Sequence, residues 1–211
     1  MLASKQYRRS GARRLLSGGR VLLIGLVAFT ASFGFAAATS SSDTAQAYVS
    51  NGCKFAGSNP NIKYHIENGS GTTWPTDFTN GQADWDSATP NYGGYFTQGT
   101  SSNRNIRVRV TYSTASWRGL ATGGCAQGGG QTWTNNFVAL QFNTRTTAGD
   151  DATDRRIIVV HELGHALGLA HRESTCTSPA AMDSSGTEAY SQCNNAAAPY
   201  YDDRQGVSFV Y

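Results

Sequence analysis

Residues 161–171 read His-Glu-Leu-Gly-His-Ala-Leu-Gly-Leu-Ala-His and hold three of the chain's four histidines. His161 and His165 stand four apart, so on a helix both imidazoles leave one face. Two imidazoles so placed can bind one zinc ion. Zinc lowers the pKa of a bound water toward about 7. Glu162, beside that face, can take the proton of such a water and later deliver it to a leaving amine. A catalytic zinc takes three protein ligands and keeps a fourth position open. His171, six residues past His165, is the candidate third ligand. A continuing helix would carry it away from the metal. Gly168 reaches positive φ at little cost, so the helix can stop there and His171 can swing back. The stretch therefore specifies a hydrolytic metal centre, with His161, His165 and His171 as ligands, Glu162 as base and Gly168 as the break.

That chemistry needs a helix through Asp154–Leu167, with Thr153 as its expected cap. Propensity opposes it, because Ile157-Ile-Val-Val160 favours a strand. The helix is expected here because the ligand geometry requires one. Elsewhere, Ile62–Glu67, Asn105–Tyr112 and Val138–Asn143 alternate apolar and polar residues as half-buried strands do. Asp77–Ala88 fits a helix with Phe78, Gly81, Trp85 and Ala88 on one face. Gly119–Asn136, with six glycines, reads as loop with at most one short strand. Tyr201–Tyr211 reads as a terminal helix.

The first 47 residues do not read as folded domain. Lys5, Arg8, Arg9, Arg13, Arg14 and Arg20 precede an apolar run, Val21–Ala38, and then small residues, the order of a secretory signal peptide. Two cleavage points fit, after Ala36-Ala-Ala38 and after Ala45-Gln-Ala47; the second is expected and would leave Tyr48 first and a single domain, 48–211. Removal of the leader takes six of 17 basic residues and Asp43, leaving 11 basic and 13 acidic residues and a net charge of −2. The formal +3 thus belongs to the leader, and no nucleic-acid partner is expected. Nor is stable membrane insertion expected after cleavage. Four cysteines, Cys53, Cys125, Cys176 and Cys193, behind a signal peptide read as two disulfides. Of three connectivities, Cys53–Cys125 with Cys176–Cys193 is expected, because the second pair closes a short loop just past the histidines. Gly149–Asp154 offers carboxylates of the kind calcium takes, which makes calcium a candidate second ion.

His161–His171 resembles the signature of the metzincin zinc peptidases. Metzincins carry a methionine turn beneath the metal, and the resemblance implies Met182, in Ser-Pro-Ala-Ala-Met-Asp, for that place. Among metzincins the chain is most similar to a matrixin catalytic domain of the secreted bacterial kind, over about residues 55–211 and most strongly from Asp154 onward. The resemblance implies an α+β zincin fold: a twisted mixed sheet, an active-site helix and a C-terminal helix, stapled by two disulfides. In matrixins the first of two paired aspartates in the terminal helix can receive the freed N-terminal ammonium, which implies Asp202 as partner for Tyr48. The chain also departs from the pattern. No cysteine-switch segment separates leader and domain. Only His65 lies outside the motif, so the histidines of the matrixin structural zinc are missing and one zinc is implied. No tyrosine stands two residues past Met182, as astacins would have it.

The function expected is a secreted, extracellular, monomeric zinc endopeptidase acting on protein or peptide substrates. Its scissile bond would be cut by a zinc-bound water activated by Glu162. Two alternatives use the same residues: a zinc amidase acting on a non-protein substrate, and a secreted zinc-binding module without turnover. Glu162 argues against the last, since a binding module has no use for a general base.

Overall fold

Ile62 and Tyr64, then Ile106, Val108 and Val110, then Val138, Leu140 and Phe142 are the apolar members of three alternating stretches, and all are buried. They form the inner face of strands β1 (Asn61–Ile66), β3 (Ile106–Thr111) and β5 (Val138–Asn143). The computed structural model describes residues 50–125, 131–184 and 197–211, all within the unit Asp43–Tyr211. The expected leader, Tyr48 and Cys193 lie outside the described residues.

Two further strands complete the sheet, β2 (Tyr95–Gln98) and β4 (Gly119–Thr122). The sequence reading expected at most a short strand at β4 and none at β2. At four residues each, neither is long enough to show alternation. The order is β2-β1-β3-β5-β4. β1 runs parallel to β2 and β3, and β3 to β5, whereas β4 is antiparallel to β5 and forms one edge. This is the mixed-sheet α+β architecture that the sequence implied.

Helix α1 (Trp74–Ala88) begins three residues before the expected Asp77. Pro75 sits in its first turn, where a missing N–H leaves no bond unmade. Phe78 and Trp85 are buried, and Trp74 stacks on Phe142 at 4.6 Å between ring centroids. Helix α2 (Ala152–Ala166) is buried without a break from Ile157 to Gly164. A helix buried on all sides can be apolar on all sides, which is why four β-branched residues sit in it against their propensity. The cap is not Thr153. Asp151 caps α2, its carboxylate accepting from Asp154 N at 2.9 Å. Both residue types cap well, and the chain enters the helix two residues earlier than expected.

The two helices cross closely at Gly81. A Cβ there would lie 2.6 Å from Val159 Cγ1. Trp85 Nε1 donates to Val160 O at 2.9 Å across the same contact. Arg155 pairs with Asp77 at 2.6 Å, and Arg156 with Asp84. Helix α3 (Tyr201–Val210) closes the chain. Cys53 is bonded to Cys125 as expected. Cys176 is disulfide-bonded too, although its expected partner, Cys193, falls outside the described residues. No described helix is long and apolar enough to cross a membrane.

Gly81→Ala should destabilise the protein. Overpacking costs about 1–3 kcal/mol, more than the roughly 0.5–1 kcal/mol that alanine gains in a helix. A urea midpoint that rises instead would show that the helices separate freely.

Candidate metal centre

The centre is built on the way α2 ends. Leu167 is its last residue in helical conformation, and Gly168 follows at φ +105°. Gly168 N donates to His165 O at 3.0 Å, and Leu169 N to Gly164 O at 3.0 Å. This pair of bonds around a positive-φ glycine is the Schellman closure of a helix. Two of the end carbonyls also accept from afar. Trp133 Nε1 donates to Ala166 O at 2.8 Å, and Asn51 Nδ2 to His165 O at 2.9 Å. Asn51 N also donates to Gly168 O at 2.8 Å. The segment bearing Cys53 lies so close that a Cβ on Gly168 would collide with the Cys53 carbonyl oxygen.

The reversal brings the three predicted histidines together. His171 Nε2 lies 3.0 Å from His161 Nε2 and 3.0 Å from His165 Nε2. The other ring nitrogens of the helical pair are engaged: His161 Nδ1 with Ala181 O at 2.7 Å and His165 Nδ1 with Leu169 O at 2.9 Å. A carbonyl can only accept, so each Nδ1 carries the proton and each Nε2 presents a lone pair. One proton on His171 cannot satisfy two bare nitrogens, whereas a cation satisfies all three. Ligands at 2.0–2.1 Å on a tetrahedral zinc stand about 3.3 Å apart, close to the spacing here. Burial and the neighbouring histidines push the His161 imidazole down to about 3, and burial lowers that of His165. Both are therefore neutral at pH 7, the form that ligates. The three imidazoles fit one zinc ion, and among the described residues no other group of three potential ligands converges. His65, the fourth histidine, is on β1 in register with Arg107 and takes no part.

Glu162 is 5% exposed and lies beside this cluster on the wall of a cleft of about 580 Å³. Burial pushes its carboxyl up to about 8, against a smaller lowering by the Ala121 N–H donated to it. A cation held by the histidines acts the opposite way. The carboxylate fits there because residue 119 has no side chain: a Cβ on Gly119 would be 2.5 Å from Glu162 Oε1 and 2.7 Å from Ile158 Cγ2. Glu162 is thus held from strand β4, which, with Trp117 and Trp133, lines the cleft together with His165 and His171.

Met182 is buried against α2, its sulfur lying where a Cβ on Gly164 would go. The turn it stands in positions His161 through Ala181 O. That turn is held in place by Asp203, whose carboxylate accepts from Ala181 N at 2.7 Å, Met182 N at 3.3 Å and Tyr200 N at 2.9 Å. Asp202 faces Arg172 in an ion pair, and the ammonium expected on Tyr48 lies outside the described residues. At the proposed calcium segment, Asp150 pairs with Arg118 and Asp151 is the α2 cap.

Asn51, Gly119, Trp133 and Asp203 all support the site, and sequence reasoning gave none of them that role. Asn51 stands 114 residues from the carbonyl it covers, so local pattern carries no sign of it. Only the paired aspartates at 202–203 were flagged, and there the buried member proves to be the second.

A sequence model of the metallo-peptidase family M12B, reprolysin-like, matches residues 42–172 and so includes the whole histidine stretch. A search of curated proteins found no match. Among solved structures, the GM1-bound form of the ECX AB5 holotoxin is similar at 14% identity and a TM-score of 0.51. The match covers 78% of this chain and 88% of that one, a likeness of fold. High choriolytic enzyme 1, a hatching-enzyme zinc protease from the medaka fish Oryzias latipes, matches at 22% identity over 56% of this chain and 48% of its own. Its TM-score is 0.32.

Replacing any one of His161, His165 or His171 with alanine should remove the metal. Atomic absorption should find near-stoichiometric zinc in the native protein and little in each variant after dialysis. Full zinc retention in all three would show that the ion sits elsewhere.

Proposed function

The chain belongs to the M12B reprolysin-like metallopeptidases, and from that premise we propose that it is a secreted zinc endopeptidase whose general base is Glu162. The observation that carries this reading is the convergence of three imidazoles beside one buried carboxylate at the wall of an open cleft. His161, His165 and His171 would hold the zinc. When bound, zinc supplies Lewis acidity, polarising a carbonyl and lowering the pKa of a water.

The rest of the work falls to the chain. Glu162 takes a proton from water in the cleft and returns it to the leaving amine. The Ala121 N–H donated to its carboxylate and the space left by Gly119 keep it aimed at that point. Among the described residues, strand β4 is paired on one side only, with β5. An extended peptide can add to its free side, with main-chain hydrogen bonds supplying the affinity. That requirement for an extended chain favours a peptide substrate over a small amide.

Two features support a matrixin-type centre within this frame: the turn at Met182, and the Asp202-Asp203 pair at the start of α3. The 47-residue leader supports secretion, with the disulfides formed outside the cytoplasm.

The test is cleavage of casein or a quenched peptide by the purified domain beside Glu162→Ala at equal zinc content. Loss of the base should lower kcat by about 10²- to 10⁴-fold. If neither protein cuts although both hold zinc, peptide hydrolysis is the wrong activity and non-protein amides become the substrates to try. Gly119→Ala tests the aim of the carboxylate separately. It should keep its zinc yet lose turnover, by about 100-fold for a displacement near 1 Å. Wild-type turnover in Gly119→Ala would show that Glu162 tolerates the added methyl.

A further inference from the structure

His171 is the least supported of the three imidazoles. His161 and His165 are each fixed through Nδ1 to a carbonyl, whereas among the described residues no hydrogen bond reaches Nδ1 of His171. Its side is also the exposed one of the cluster. Its position must therefore come from the backbone on either side. Upstream is the Gly168–Leu169 closure. Downstream is Arg172, which is held from several directions. Its backbone N donates to Met182 O at 2.9 Å, its Nε to Glu173 O at 3.1 Å, and its Nη2 to Ser178 Oγ at 3.4 Å. Its Nη1 meets Asp202 Oδ2 in an ion pair whose side chains are only 14% and 17% exposed.

A pair so shielded from water is coupled more strongly than one at the surface. Asp202 lies in the first turn of α3, where the helix dipole favours its charge. Its neighbour Asp203 fixes the 181–182 turn and, through Ala181 O, His161. Two adjacent carboxylates on one helix thus reach two different ligands, by separate routes.

We propose that Arg172 and Asp202 are positioning residues of the metal centre: their ion pair fixes the backbone at 171–172 so that His171 Nε2 meets the other two ring nitrogens. The proposal rests on reading the three histidines as a zinc site. It separates the ion pair from ordinary scaffolding, because a scaffold contact would alter folding stability and leave zinc affinity alone.

Zinc affinity of the full domain, measured by competition with a chromophoric chelator, tests it. Asp202→Asn and Arg172→Met should each raise the zinc Kd by about 10- to 100-fold, with one zinc still bound at saturation. Arg172→Lys, which keeps the charge, should recover most of the affinity. Glu67→Gln is the control, because Glu67 pairs with Arg104 at a similar exposure, 18% and 21%, and with the more exposed Arg109, on the outer face of the sheet. It should leave the Kd unchanged. Unchanged zinc affinity in Asp202→Asn overturns the proposal. So does an equal weakening in Glu67→Gln, or an Arg172→Lys no better than Arg172→Met. A native domain that holds no zinc at all overturns the metal-site reading itself, a different failure.

Discussion

Three imidazoles on one short stretch can share a cation only if the chain reverses between the second and the third. In this protein the reversal hangs on Gly168 at φ +105°. An L-residue with a side chain is strained there, and its Cβ would also meet the Cys53 carbonyl. Once the helix stops at that point, its last carbonyls need donors. One comes from Asn51 and one from Trp133, parts of the chain remote from α2 in sequence. The N-terminal segment and the loop before β5 are thus placed by the same requirement that places His171. The architecture around the centre follows from how one helix ends.

Desolvation plays two parts at the centre. It keeps His161 and His165 neutral, with lone pairs ready, and it makes Glu162 reluctant to carry charge. In an aqueous cleft the imidazoles would compete with protons, and the carboxylate would be an ordinary surface acid. Burial is tolerable because each side chain has a backbone partner: Ala181 O and Leu169 O for the rings, Ala121 N–H for the carboxylate. A cation relieves the charge imbalance that burial leaves.

The ligand cluster was legible before the fold was. Spacing alone brought out His161, His165 and His171 and the break at Gly168, because ligand geometry on a helix is a local constraint. The alternating strands were legible for the same reason. Ile157–Val160 shows where local preference misleads: the propensity is for strand, and burial on every side makes the segment helix. Asp151 displaced Thr153 as cap because two suitable residue types stand two apart and only the path of the chain chooses. Asn51 and Gly119 were illegible in principle. Their roles exist only through contacts made across more than a hundred residues by Asn51 and across the sheet edge by Gly119. The short strands β2 and β4 carry too few residues for any period to show.

The Cys53–Cys125 bond joins residues 72 apart and closes a loop whose entropy is worth roughly 4 kcal/mol to the folded chain. It has a second consequence for a protein that would meet its own copies as substrates. A single cut anywhere between the two cysteines leaves both fragments covalently joined. Asn51 would then stay tethered to the chain that carries the histidines, and an autolytic nick in α1 or β3 would not by itself release the segment that covers the end of α2.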